Sequence, residues 1–268
     1  NFLQESIGAA PMFVCLALAL VGGSALSVPN SAEAMIRRAA AAVTHARDAG
    51  NNRQIVRIVV PQLETVRPED LDPWPGGLAQ QYPYAMDLSR ELLGGVVGTD
   101  ASLRDQVLDA QDACGLLTAE AAKPDDDCAL VLFCGCDQMD QLDNVEAMAQ
   151  GRLVVLVNPQ FRRVQDFGLM QRTRAQPLLD RYTVSYAFEE FACRGEDVKL
   201  VYEAGAGWKA HVLLDDTDIL GEPLNQTPLE ERPTYEWIEK AINEKFPTPR
   251  WARKLDDFDA QGPAFLRK

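Results

Sequence analysis

Three short runs of apolar residues constrain this chain more than any other feature. They are Ile55-Val56-Arg57-Ile58-Val59-Val60, Ala129-Leu130-Val131-Leu132-Phe133 and Leu153-Val154-Val155-Leu156-Val157. Each is too short for a buried helix and too continuous for a strand with one wet face, so each reads as a strand covered on both sides. Between them lie stretches with helical spacing. Ser31 is a plausible cap for a helix whose Ile36, Ala39, Ala40, Val43 and Ala46 share a face, closed by Gly50. Leu78 to Val97 places Ala85, Leu88, Leu92 and Leu93 on one side, with Pro83 expected to delay its start. Leu142 to Ala149 and residues 167–181 give two further helices. Strands that alternate with helices indicate a parallel sheet covered on both faces.

The pattern changes after Arg181. Thr183 to Phe188, Val198 to Tyr202 and Trp208 to Leu214 are separated by turns at Arg194-Gly195-Glu196 and Gly205 to Gly207. They read as antiparallel hairpin strands, followed by a helix over Thr234 to Phe246 with Trp237, Ile238, Ala241 and Ile242 inward. Residues 61–77, rich in Pro and Gly, read as a loop, and Asp100 to Leu117 gives no clear element. The expectation is one three-layer α/β domain over residues 31–246, with a mixed, largely parallel sheet and a C-terminal antiparallel hairpin portion. Residues 247–268 form a tail.

Residues 1–30 differ from the rest. Of the net charge of −14 in 268 residues, they carry only Glu5, which leaves −13 for residues 31–268. Met12 opens an apolar run through Val21, and Ala25-Leu26-Ser27 has the form of a cleavage site. This segment reads as a cleaved targeting signal, with a membrane anchor or a buried helix as alternatives. Ser31 to Arg47, Ala-rich and bearing Arg37, Arg38 and Arg47, shares features with an organelle transit peptide; the folded helix is the favoured reading. An acidic chain without clustered Lys and Arg is a poor nucleic-acid binder.

Catalytic signatures are missing. There is no glycine-rich phosphate loop, no G-x-S-x-G elbow and no zinc set, and the histidines, His45 and His211, are far apart. Without Cys15, five cysteines remain, an odd number for a disulfide framework, and Cys134-Gly135-Cys136 lacks zinc-ligand spacing. Asp125-Asp126-Asp127 reads as a solvated loop. No catalytic residue, cofactor or metal is assigned, and enzyme activity stays uncertain, leaning against it. Open α/β sheets place ligands at the carboxyl ends of their strands. Gln62, Trp74, Gly76, Gly77, Asp137, Asn158 and Gln160 follow strand ends and form the candidate crevice for a ligand or partner.

The Ala-rich opening helix with Ile55–Pro61, then Trp74-Pro75-Gly76-Gly77, Leu153–Val157 running into Asn158-Pro159-Gln160, Tyr186-Ala187-Phe188, Val201-Tyr202 and Trp208 together resemble a plastid and cyanobacterial domain of unknown function. That domain occurs in chloroplast "low photosystem II accumulation" proteins and appended to a plastid adenylate kinase. The resemblance covers most of residues 31–215 and carries no catalytic residues; the kinase activity belongs to a separate domain. It implies an accessory protein of the plastid stroma or thylakoid, acting in photosystem assembly or biogenesis through protein partners. Membrane contact would come through the N-terminal segment. The alternative is a small-molecule or nucleotide-binding enzyme with its site at the strand ends.

Overall fold

A computed structural model describes residues 26–61, 74–213, 221, 223–253 and 255. The apolar leader up to Ala25 and most of the C-terminal tail lie outside the described residues. Among the described residues, the main elements are five α-helices and eight strands. Helix α1 (Ala32–Asp48) leads to β1 (Arg53–Arg57) and α2 (Gly77–Val97). Then come β2 (Ser102–Asp109), β3 (Cys114–Glu120) and β4 (Cys128–Leu132). Helix α3 (Met139–Ala149), β5 (Leu153–Val157), α4 (Arg172–Arg181) and β6 (Thr183–Cys193) follow. The described elements end with β7 (Glu196–Glu203), β8 (Gly207–Val212) and α5 (Tyr235–Lys245).

All eight strands form one mixed sheet in the order β2-β3-β4-β5-β1-β6-β7-β8. The central four, β4, β5, β1 and β6, run parallel, and antiparallel strands flank them on both sides. Every side chain of β4 and β5 is buried, because the strands alternate between two covered faces. Leu130, Leu132, Val155 and Val157 meet α1 and α2 on one face; Val131, Val154 and Leu156 meet α3 and α4 on the other. Helix α5 packs Ile238 and Ile242 against Leu200 and Ala210, under the C-terminal hairpins. The result is a three-layer α/β domain.

Local chemistry sets the helix ends and contacts. The Ser31 hydroxyl accepts the Ala34 N–H at 3.1 Å at the start of α1, and all five residues of its expected apolar face are buried. At Gly95 of α2 a Cβ would come within 2.9 Å of the Ala40 methyl, so glycine lets α1 and α2 approach closely. Leu92 and Leu93 are fully buried between α2 and the sheet. Truncating either to Ala would cost about 2–5 kcal/mol.

Four boundaries depart from expectation. Pro83 lies inside α2 and does not delay its start; the carbonyl it leaves unpaired belongs to Ala79, which is exposed. Strand β1 ends at Arg57, not Val60, because its neighbour β5 ends at Val157. Helix α4 starts only at Arg172, since Phe167 turns inward to pack at a tilt on Phe161, ring centres 4.9 Å apart. Asp100 to Leu117 contains β2 and the start of β3, whose hairpin adds antiparallel strands at the end of the sheet where none was expected.

Candidate functional site

The site follows from where the chain goes after each parallel strand. After β1 it crosses to α2 on one face; after the neighbouring β5 it crosses to α4 on the other. Two adjacent strands whose connections part to opposite faces leave a crevice at their carboxyl ends. Here the crevice is an open cleft of about 590 Å³, bordered by Arg57, Phe133, Asn158, Gln160, Arg162 and Glu189 among others.

Two left-handed residues form its floor. Phe133 follows β4 with φ of 54°, and Asn158 follows β5 with φ of 48°. The Phe133 N–H donates to the Val157 carbonyl at 3.0 Å, and the Asn158 N–H donates to the Val56 carbonyl at 2.9 Å. Asparagine tolerates this conformation; a buried phenylalanine there costs about 1–3 kcal/mol, which the surrounding packing must offset. The Asn158 side chain then brackets the backbone of Ile58. Its Oδ1 accepts the Ile58 N–H at 2.8 Å and its Nδ2 donates to the Ile58 carbonyl at 2.9 Å. The side chain thus continues the β1 ladder one residue past the end of β5. Gln160 is anchored too, its N–H donating to the Cys134 carbonyl at 2.8 Å and its Nε2 to the Asn158 carbonyl at 2.7 Å.

Charged groups line the walls. Arg57 donates to the carbonyls of Pro159 at 3.1 Å and Phe161 at 2.7 Å. Burial pulls its guanidinium down to about 10, and repulsion from Arg162 adds to this. Glu189 is buried between two arginines. Arg162 donates to Oε1 at 2.7 Å, and Arg232 donates twice to Oε2, at 2.7 and 3.1 Å. Burial opposes its ionisation, but the hydrogen bonds and charges of both arginines prevail and hold it below the usual carboxylate range. Asp166 accepts the backbone N–H groups of Arg162 at 2.7 Å and Arg163 at 3.1 Å; burial works against them, yet its carboxyl is also held low. Both carboxylates are therefore fixed anions near neutrality, poorly suited to proton shuttling.

The expected site residues divide. Asn158 and Gln160 border the crevice, with Asn158 spending both polar atoms on Ile58. Trp74 is buried, only 7% exposed, and packs on Tyr84 with ring centres 5.5 Å apart. It borders an adjoining cavity of about 520 Å³ that shares Val59, Gln81, Phe188 and Glu190 with the crevice, so the two form one groove. Gly76 and Gly77 shape the start of α2; the Gly76 N–H donates to Gln80 Oε1 at 2.8 Å and Gly77 has φ of 63°. Neither borders the crevice. Asp137 is exposed and accepts from Gln171 Nε2 at 3.2 Å, away from Asn158. Gln62 lies outside the described residues.

The residues that sequence reasoning missed are Arg57, Phe133, Arg162 and Glu189. Arg57 carried a signal, since a charge inside a strand covered on both faces needs a reason. Elsewhere, Asp127 pairs with Arg152 at 3.0 Å and accepts the Ala121 N–H at 2.8 Å. Burial pushes the Cys128 thiol up to about 12, and contact with Cys114 together with burial raises Cys134 further, so neither is a ready nucleophile at neutral pH. Among the described residues, no helix is long and apolar enough to cross a membrane.

No curated protein and no solved structure matches the chain. A family model, described as a domain of unknown function (DUF1995), matches residues 29–240. The match runs from just before α1 into α5 and takes in the whole sheet and the crevice. The chain therefore belongs to the DUF1995 family.

Proposed function

We propose that the chain is a non-catalytic accessory protein of the plastid, acting in photosystem assembly or biogenesis by holding protein partners at the carboxyl edge of its sheet. One observation carries the binding role. Leu169 and Met170, on the β5–α4 connection that also walls the crevice, are 80% and 93% exposed. Isolated surface leucines need no explanation, but two adjacent large apolar chains on a loop beside the crevice form a ready anchor for a partner. Covering them would contribute about 1.5–3 kcal/mol each. The plastid setting, in the stroma or at the thylakoid after removal of the N-terminal segment, rests on the family resemblance of the motifs. The alternative, an enzyme or small-molecule binder at the strand ends, is favoured by the crevice itself.

The test is retention of solubilised thylakoid proteins on the immobilised chain, against a Leu169→Asp/Met170→Asp variant. Photosystem or import-machinery subunits should bind the parent and be lost from the variant. Retention of no such subunit, or equal retention by both, would refute the proposal. Mass spectrometry of the mature N-terminus from plastid fractions checks the address, with a start near Val28 or later expected.

A further inference from the structure

Among the described residues, the ion pairs around the crevice do not match one to one. Five charged side chains line it: Arg57, Arg162, Asp166, Glu189 and Glu190. Each carboxylate has a cation of its own outside the lining. Glu189 has Arg232, through two bonds to one oxygen. Glu190 has Lys199, and Asp166 has Arg163 at 3.2 Å together with two backbone N–H groups. Arg57 and Arg162 are left over. Arg162 shares the second oxygen of Glu189, whose charge Arg232 already meets. Arg57 donates only to neutral carbonyls; Glu189 and Asp166 act on it through space, and among the described residues neither forms an ion pair with it. Of these five cations, three meet the three carboxylates, which leaves two guanidiniums facing one cleft.

A largely buried guanidinium with no direct ion pair is costly, and an arriving anion offsets that cost. Guanidinium groups suit oxyanions because their N–H groups form a planar fork that matches carboxylate or phosphate oxygens. Both surplus arginines border the same cleft, whose volume of about 590 Å³ suits a small ligand. Arg57 is held by the Pro159 and Phe161 carbonyls, which fix the floor of the site. Arg162, with its side chain 48% exposed, can turn from Glu189 to the ligand without leaving that carboxylate unpaired.

We propose that the crevice between the ends of β1 and β5 binds a small doubly charged oxyanion, a phosphate monoester or a dicarboxylate, between Arg57 and Arg162. Recognition is by side-chain forks, since the chain has no glycine-rich phosphate loop. The site is separate from Leu169 and Met170 and holds whether or not that pair anchors a protein.

Isothermal titration of the full chain with inorganic phosphate, and separately with succinate, in low-chloride buffer tests it. At least one should saturate a single site, and the tighter of the two identifies the headgroup chemistry. Arg162→Gln should weaken that binding at least about tenfold. The half-exposed position of Arg162 keeps this variant folded, which a thermal melt verifies; Arg57→Gln also severs the two loop carbonyl bonds and serves only as a second variant. The proposal is overturned if neither anion saturates, or if Arg162→Gln binds as tightly as the parent.

Discussion

Asn158 is the residue whose removal most sharply separates a structural bracket from a ligand group. Its amide makes two hydrogen bonds to the backbone of Ile58, at 2.8 and 2.9 Å, from a left-handed backbone with φ of 48°. Asn158→Ala removes both bonds and leaves the part-buried Ile58 N–H and carbonyl without them, costing about 1 kcal/mol each. Alanine also bears a left-handed penalty that asparagine partly escapes, about 1 kcal/mol more. The expected destabilisation is therefore about 3 kcal/mol, more than a hundredfold in the folding equilibrium. Asn158→Gly accepts the positive φ and should recover about 1 kcal/mol of that loss. Urea unfolding of the three proteins, followed by circular dichroism, measures both differences. If Asn158→Ala lies within about 0.5 kcal/mol of the parent, a typical neutral surface change, the bracket contributes nothing and the reasoning fails. Equal losses for alanine and glycine would show that the positive φ at Asn158 carries no cost.

Other consequences follow from the buried charges. Glu189→Gln should destabilise the protein by about 2–3 kcal/mol at neutral pH, because it leaves Arg162 and Arg232 short of their counter-charge. The folded-state pKa of Glu189 lies below its ordinary 4.5, so its contribution is present above that pH and fades as pH falls through the lower folded value. The gap between variant and parent in urea midpoint should therefore close below pH 4.5. His211 behaves differently: burial lowers its pKa against the pull of the Leu26 carbonyl, which lies 2.9 Å from Nε2, with nearby Lys209, Arg38 and Lys245 adding to the drop. The unfolded chain takes up that proton first, so the contribution present above 6.5 is lost as pH falls from 6.5 toward the folded value. The melting temperature should drop over that range in the parent and less in His211→Gln.

The core of the fold was legible because burial on both faces leaves a plain mark on sequence. Strands β4 and β5 are unbroken apolar runs, and α1 shows its Ser31 cap and a clean inward face. The β2–β3 hairpin was not legible for the converse reason. Strand β2 lies at the edge with most side chains exposed, so Arg104, Asp105 and Gln106 carry no alternating signal; its pairing with β3 makes it a strand. The location of the crevice was readable from strand ends alone, and so was the presence of Asn158 and Gln160 beside it. The charge arrangement was not, because Arg57, Arg162, Glu189 and Arg232 are far apart in sequence. Only the β1–β5–β6 order brings them together.

A binding site in the crevice at the ends of β1 and β5 has a direct spectroscopic signature. It is read by titrating the uniformly labelled protein with inorganic phosphate and then succinate while following backbone amide resonances. At least one anion should give saturable shifts concentrated at Ile58, Phe133, Asn158, Gln160 and Arg162. Shifts for neither anion, or shifts centred instead on the cavity beside Val145 and Arg152, would contradict it.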